Sequence, residues 1–180
     1  MILLARHGET DDNRPPVRVQ GHTDVPLNER GREQARALGE QVAQNAIASL
    51  YCSHLSRAHE TAQIVGEVID LEPRVDQRFA ETDRGAWEGL TWEEVKHRDP
   101  AGYAAWLAAG ADFRFPGGES LGEQLERVSA ALEDVAGAGE LPALVVCHGG
   151  TIRVALSREN PRGLRAFHDP DVPNGAVFEL

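Results

Sequence analysis

Near its start the chain reads Ile2-Leu3-Leu4-Ala5-Arg6-His7-Gly8-Glu9-Thr10. Four consecutive apolar residues are typical of a short strand that is buried on both faces, as the strands of a parallel sheet are. Residues 6–10 would then leave the carboxyl end of that strand, and open α/β sheets bind their ligands beyond such ends. The stretch therefore predicts the type of sheet and the edge at which polar side chains should gather.

The rest of the chain alternates between short strand-like runs and amphipathic stretches with helical spacing. Further strands are predicted at residues 48–52, 74–77, 144–147 and 176–180. Helices are predicted after Asn28, from Ser56, from Trp92 to before Pro100, around Tyr103, Trp106 and Leu107, at residues 119–136 and after Gly149-Gly150. This alternation predicts an α/β fold, a single-domain three-layer sandwich over residues 1–180, with a mostly parallel sheet and helices on both faces. The order of the strands cannot be read from the pattern.

The composition excludes several classes of partner. The 180 residues carry 29 acidic and 18 basic side chains, a formal net charge of −11. Because nucleic acids and anionic lipids need a positive footprint, we expect no nucleic-acid partner and no membrane association. No window approaches the length of a membrane span and residues 1–5 form no basic leader, so we expect a cytoplasmic location. Whether the protein is a monomer or a homodimer stays open.

Charged and polar residues follow three of the predicted strands. They are Arg6-His7-Gly8-Glu9-Thr10, Ser53-His54-Leu55-Ser56-Arg57 and His148-Gly149-Gly150-Thr151. Two histidines, His7 and His148, and two arginines, Arg6 and Arg57, would then meet at one rim of the sheet. A guanidinium grips phosphate oxygens through a planar fork of donors, which favours a phosphoryl group as the ligand.

The main chain at this rim should contribute as well. Gly8, Gly149 and Gly150 would let the backbone approach a ligand closely, and helices beginning near Ser56 and Gly150 would aim free amide groups at it. Each side chain alone also has a simpler explanation, because a strand-end histidine is often only hydrogen-bonded in place and an arginine on a first helical turn is often solvated. Their joint placement favours an oxyanion pocket.

These residues resemble the signature of the histidine phosphatase superfamily, the phosphoglycerate-mutase-like proteins. The match runs from residue 2 to about residue 153 and includes Arg6-His7-Gly8-Glu9-Thr10, Asn13, Gln20-Gly21, Ser56-Arg57-Ala58, Glu81, Gly85-Ala86-Trp87-Glu88-Gly89, Pro116-Gly117-Gly118-Glu119-Ser120 and His148-Gly149-Gly150. The resemblance implies the phosphoglycerate-mutase-like fold, a small phosphorylated substrate, no metal and no cofactor.

The resemblance also implies roles for individual residues. It makes His7 the nucleophile that takes the phosphoryl group, and Glu81 the acid that protonates the leaving oxygen. The catalytic set is then Arg6, His7, Arg57, Glu81 and His148. The phosphate-binding set is Arg6, Asn13, Gly21, Thr23, Arg57, His148 and Gly149. A carboxyl group that faces an incoming phosphate should have a raised pKa, which suits an acid.

The leading hypothesis is a metal-independent phosphomonoesterase that hydrolyses a small phosphorylated metabolite through a phosphohistidine on His7. One alternative is a phosphoglycerate mutase, but mutases of this superfamily are usually longer, with extra segments that hold a bisphosphate, so we expect hydrolysis. Another is a non-catalytic module that binds a phosphorylated ligand. That alternative is disfavoured because both the nucleophile His7 and the acid Glu81 are present.

Neither the cysteines nor the remaining histidines form a metal-binding pattern. Cys52 and Cys147 lie in apolar runs, and we expect them to be reduced and half-buried. Five histidines lack the spacing of a ligand pair and are predicted to lie on the surface or in loops: His22, His54, His59, His97 and His168.

One residue departs from the family pattern. Arg84 stands where many relatives have an aromatic residue, and we favour a solvated loop arginine over a ligand for a second anionic group. Residues 84–115, with Trp87, Trp92 and Trp106, are predicted to cover the site and to set substrate choice. Glu9 and Glu88 should orient arginines or face solvent, and carboxylates other than Glu81 and Glu9 should lie outside the site.

Overall fold

The computed structural model describes residues 1–108, 110 and 112–180. Its strands are β1 (Ile2–Arg6), β2 (Ser49–Cys52), β3 (Arg74–Val75), β4 (Ala143–Cys147) and β5 (Val177–Glu179). Its α-helices are α1 (Glu29–Val42), α2 (Ser56–Ile69), α3 (Trp92–Arg98), α4 (Pro100–Ala108), α5 (Leu121–Gly137) and α6 (Gly149–Ser157). Short 3-10 turns occur in several of the connecting loops.

The five strands form one sheet in the order β3-β2-β4-β1-β5. β1 pairs in parallel with β4, β4 with β2, and β2 with β3, while β5 runs antiparallel to β1 at the edge. Arg6 lies opposite Cys147 in the ladder between β1 and β4. The residues that follow these two inner strands therefore emerge side by side at one edge of the sheet.

Helices cover both faces of the sheet because the strand side chains alternate between them. On one face, Leu3 and Leu144 pack with residues of α1 and α2. On the other face, Leu4 and Val145 pack with residues of α5 and α6. Two separate apolar cores result, which confirms the predicted three-layer α/β sandwich with a mostly parallel sheet.

The helices begin where the sequence predicts. Asn28 caps α1 by accepting a hydrogen bond from the amide of Gly31 (2.9 Å). Thr91 and Glu94 form the predicted capping box at the start of α3. A second capping box starts α5 at Ser120, so this helix begins slightly later than predicted. α6 ends at Ser157, before Asn160-Pro161.

Two predictions about local structure are wrong. Cys52 and Cys147 are completely buried rather than half-buried, because each ends an inner strand beneath a layer of helices, and both are unpaired. The predicted strand at residues 74–77 contains only two strand residues, because a 3-10 turn begins at Gln77.

None of the helices in the described part of the chain is long and apolar enough to cross a bilayer.

The predicted cover, residues 84–115, packs on the core through its aromatic side chains. Trp92 and Trp106 stack with ring centroids 4.4 Å apart, and Trp87 meets Trp106 edge to face at 6.4 Å. Trp87 and Trp106 are buried and belong to the same core as Leu4. Ala109 and Ala111 of this segment lie outside the described residues.

A truncation in the middle of the sheet should be costly. Leu144 is fully buried in β4, so Leu144→Ala should lower the free energy of unfolding by about 2–5 kcal/mol, through lost burial and the cavity left behind. Urea denaturation monitored by circular dichroism measures this change. Leu107→Ala is the matched control, because Leu107 is 52% exposed and the same truncation should cost little. Equal losses in the two variants would contradict the described core.

Candidate active site

A cavity of about 220 Å³ opens at the edge where β1 and β4 end. Predicted site residues that line it are Arg6, His7, Asn13, Gly21, Arg57, Glu81 and Gly149. His148 lies next to His7, with ring centroids 5.1 Å apart, although it does not line the cavity itself. Thr23 does not line the cavity either. The structure therefore brings together all but one of the residues selected from the sequence.

His7 is held as one neutral tautomer. Its Nδ1 atom lies 2.7 Å from the carbonyl oxygen of Gly8, which can only accept, so Nδ1 carries the proton and Nε2 carries the lone pair. Burial lowers the pKa of His7 well below its ordinary value, and the charges of Arg57 and Arg6 lower it further. His7 is therefore uncharged near pH 7 and presents a nucleophilic nitrogen.

His148 is fully buried beside His7. Neither Nδ1 nor Nε2 has a hydrogen-bond partner among the described residues. Burial lowers its pKa well below the ordinary value, and Arg57 and His7 add to this effect. A neutral imidazole with one unpartnered N–H group can donate to an oxygen of a ligand.

Arg57 and Arg6 are both fixed by backbone carbonyl groups. Arg57, on the first turn of α2, donates to the carbonyl oxygens of Gly21 (2.7 Å) and Thr23 (2.9 Å). Arg6 donates to the carbonyl oxygen of Val172 (2.5 Å), and burial lowers its pKa to about 10, so it stays charged. The Nε atoms of both arginines are buried without partners among the described residues. Thr23 thus contacts Arg57 rather than the cavity.

Two backbone amides and one arginine surround the carboxylate of Glu81. Its carboxylate accepts hydrogen bonds from the amides of Thr82 (2.8 Å) and Gly150 (3.1 Å) and lies 3.9 Å from Nη2 of Arg84. Burial raises the pKa of Glu81, but Arg84, the two amides and Arg57 together outweigh it, so the pKa falls below its ordinary value. The raised pKa expected from the sequence concerns a carboxyl group that faces a phosphate, and it stays a prediction.

The glycines at this rim serve contacts within the protein. A Cβ atom on Gly8 would lie 2.2 Å from the carbonyl oxygen of Gly31, and one on Gly150 would lie 2.2 Å from Oε1 of Glu81. Gly149 and Gly150 both line the cavity, as predicted, whereas Gly8 does not. A free amide was also predicted at the start of α2. The amide of Ser56 is not free, because it donates a hydrogen bond to Oδ1 of Asp24 (2.8 Å).

Arg84 is not the solvated loop arginine that the sequence favours. It is only 9% exposed, lines the cavity, and lies over the rings of Trp92 (5.5 Å) and Phe115 (5.4 Å). The aromatic residues of the covering segment take it out of water. One feature of the sequence could have predicted this burial: Arg84 stands where many relatives have an aromatic residue, next to the aromatic residues of the covering segment.

Three further arginines were missed in the sequence, and one of them, Arg18, is an exposed residue that lines the cavity. Arg153 lies on α6, four residues after Gly149, and that helical spacing places it on the face that lines the cavity. Arg127 on α5 donates to the carbonyl oxygen of Glu81 (3.0 Å) and to the carboxylate of Glu119 (2.6 Å). Arg127 therefore fixes the segment that carries Glu81, a role with no local sequence signal.

The acidic residues are distributed as predicted. Glu81 alone among the described carboxylates lines the cavity. Glu88 accepts hydrogen bonds from the amides of His22, Thr23 and Arg84. Glu9 lies outside the cavity and 3.7 Å from Arg30. The site is thus positively charged in a protein of net charge −11.

The remaining histidines follow the prediction only in part. His22, His54 and His97 are exposed, but His59 and His168 are half-buried. His168 is close to the carbonyl oxygen of Trp106 (2.9 Å) and meets its ring edge to face. In the described ranges, no three side chains of His, Cys, Asp or Glu are grouped to hold a metal ion.

Sequence comparison finds relatives among phosphoglycerate-mutase-like proteins and phosphatases. "Phosphoglycerate mutase-like protein 4" of Arabidopsis thaliana is 38% identical over 89% of this chain and 71% of that protein. "Phosphoserine phosphatase 1" of Hydrogenobacter thermophilus is 36% identical over 74% of this chain, and the aligned region covers 63% of its own length.

A solved structure shows the same fold. The mycobacterial glucosyl-3-phosphoglycerate phosphatase in complex with VO3 superposes with a TM-score of 0.85 at 32% identity, covering 98% of this chain and 90% of the other. The family model described as "Histidine phosphatase superfamily (branch 1)" matches residues 2–180. The chain therefore belongs to the histidine phosphatase superfamily.

Proposed function

We propose that this protein is a metal-independent phosphomonoesterase that hydrolyses a small phosphorylated metabolite through a phosphohistidine on His7. The observation that carries the proposal is the hydrogen bond between Nδ1 of His7 and Gly8, because it leaves Nε2 unprotonated in a cavity lined by Arg6 and Arg57. The names of the relatives, a phosphoserine phosphatase and a glucosyl-3-phosphoglycerate phosphatase among them, support phosphatase chemistry.

In the first step, Nε2 of His7 attacks phosphorus and the bond from phosphorus to the leaving oxygen breaks. Arg6 and Arg57 stabilise the charge on the phosphoryl oxygens, and the neutral His148 donates its N–H group to one of them. Glu81 transfers a proton to the leaving oxygen, so the alcohol departs uncharged. The product is a phosphohistidine and an ionised Glu81.

In the second step, water attacks the phosphohistidine. Glu81, now ionised, takes the proton from the water, and the bond between phosphorus and Nε2 breaks. Inorganic phosphate leaves, and Glu81 releases the proton, because its lowered pKa keeps it ionised in the free protein near neutral pH. The amides of Thr82 and Gly150 hold the carboxylate in place for both transfers.

The first prediction concerns the covalent intermediate. Acid-labile, base-stable radiolabel should appear on the wild-type protein after rapid quenching with a ³²P-labelled phosphomonoester, and peptide mapping should place it on His7. His7→Asn should abolish the label and lower phosphate release about a thousandfold or more, because the nucleophile is gone. His97→Asn, at an exposed histidine, is the control and should behave as wild type.

The same assay separates the alternatives. With 3-phosphoglycerate as substrate, isomerisation without phosphate release would indicate a mutase. Binding of phosphate without any label on His7 would indicate a non-catalytic module. Undiminished phosphate release by His7→Asn would refute the mechanism.

The second prediction is the pH dependence of kcat/KM. The pKa of Glu81 lies below its ordinary value in the free protein, because its burial, which raises the pKa, is outweighed by Arg84 and two backbone amides, and a phosphate monoester loses its last proton near pH 6. The reacting complex holds one proton, which is shared between Glu81 and the phosphoryl group. At a pH between their two pKa values Glu81 is ionised, so the proton enters with the substrate monoanion. Initial rates on an alkyl phosphate should give a plateau that falls about tenfold per pH unit above about pH 6. On the acid side the rates should fall only at a pH below the ordinary pKa of a glutamate side chain, because the pKa of Glu81 is lowered.

Glu81→Gln is the matched variant for this profile. It should lower turnover of an alkyl phosphate about 100-fold or more, because the poor leaving group needs a proton. With an aryl phosphate whose leaving group is good, the first-turnover burst should survive and the later turnovers should be slow. An equal loss in the burst for both kinds of substrate, or a kcat/KM that rises from pH 6 to pH 8, would contradict the role of Glu81.

A further inference from the structure

The cavity contains more positive charge than a phosphoryl group needs. Besides Arg6 and Arg57, which flank His7, it is lined by Arg18, Arg84 and Arg153, which no step of the proposed hydrolysis uses. Arg18 is exposed and lies 3.9 Å from the carboxylate of Glu94. With Glu81 ionised, the other four arginines leave three positive charges on the wall. A phosphomonoester dianion supplies two negative charges, so at least one positive charge remains unmatched.

Arg84 is built to receive a ligand. Its guanidinium is held between the rings of Trp92 and Phe115, and it makes no hydrogen bond to any residue that the structure describes. Its nearest carboxylate is Glu81 at 3.9 Å, beyond hydrogen-bonding distance. Burying a guanidinium without hydrogen bonds costs free energy, and a bound anion would recover it.

Arg153 and Trp106 add donors to the same part of the cavity. Arg153 donates to the carbonyl oxygen of Pro170 (3.2 Å) and lies over the ring of Phe167, while its Nε atom is buried without a partner in the described chain. It forms no ion pair with a described carboxylate within 4 Å. The indole N–H of Trp106 is likewise buried without a described partner.

We propose that Arg84, Arg153 and Trp106 form a second anion site, which binds a carboxylate on the alcohol part of the phosphomonoester. The inference rests on the proposed hydrolysis and narrows its substrate class to small phosphate esters of hydroxy acids. A carboxylate fits because a planar guanidinium fixed between rings presents its donors along one edge, to which two carboxylate oxygens bind together.

Two substrates that differ only at the carboxylate test this site. 3-Phosphoglycerate and glycerol 3-phosphate share the phosphoryl group and the chain, but the second has a hydroxymethyl group in place of the carboxylate. The wild-type kcat/KM for 3-phosphoglycerate should exceed that for glycerol 3-phosphate about tenfold or more. This ratio requires no variant, so a folding defect cannot obscure it.

Substitutions then locate the effect. Arg84→Met and Arg153→Met should each bring the ratio toward one, and Arg84→Lys should keep part of the preference because it keeps the charge. Any general loss through Glu81 lowers both substrates alike and leaves the ratio unchanged. Arg98→Met is the control, because Arg98 lies on α3 near Trp92 but is exposed and outside the cavity.

The outcomes separate this inference from the proposed function. If the wild-type protein releases phosphate from neither substrate but does so from an aryl phosphate, hydrolysis stands and the second anion site is refuted. If it releases phosphate from none of the three, the proposed hydrolysis fails. If it releases phosphate from both 3-phosphoglycerate and glycerol 3-phosphate with a ratio near one, or if neither Arg84→Met nor Arg153→Met changes the ratio by more than about twofold, hydrolysis stands and the second anion site is refuted.

Discussion

The parallel pairing of β1 with β4 is the constraint on which the site depends. The amide of His7 donates to the carbonyl oxygen of Cys147 (3.0 Å), so the ladder continues up to the residue that precedes His148. This register puts the two imidazoles side by side at the edge of two inner strands. A slip of one residue would turn the apolar side chains of β1 to the wrong faces. The alternation that builds the two cores therefore also fixes the geometry of the site.

The site is electrostatically unfavourable by itself. Arg6, Arg57, Arg84 and Arg153 are withdrawn from water around one carboxylate, and isolated buried charges are costly. Carbonyl oxygens hold Arg6 and Arg57, and aromatic rings hold Arg84 and Arg153. The apolar cores on both faces of the sheet stabilise an arrangement that only an anion completes, and binding of that anion would stabilise the fold in turn.

The sequence was informative where one physical rule decides the outcome. The meeting of His7, His148, Arg6 and Arg57 could be predicted because parallel strands share the edge at which they end. The order of the sheet could not, because apolar runs of similar length do not specify their partners.

Other features of the site depend on residues distant in the chain. The burial of Arg84 requires Trp92 and Phe115, and the lowered pKa of Glu81 requires Arg84. Gly8 was selected for ligand approach, yet its lack of a side chain serves the close contact with Gly31. In each case a tertiary contact decided what local pattern could not.

Glu88 connects the covering segment, residues 84–115, with the loop that holds Arg57. It binds the amide of Arg84 and the amide of Thr23, and Thr23 holds Arg57 through its carbonyl oxygen. The segment that is predicted to set substrate choice is thereby joined to the residues that are proposed to bind phosphate. If both roles hold, transplanting residues 84–115 from a relative would transfer specificity only if the graft kept the carboxylate at position 88. One carboxylate would then link substrate choice to phosphate binding.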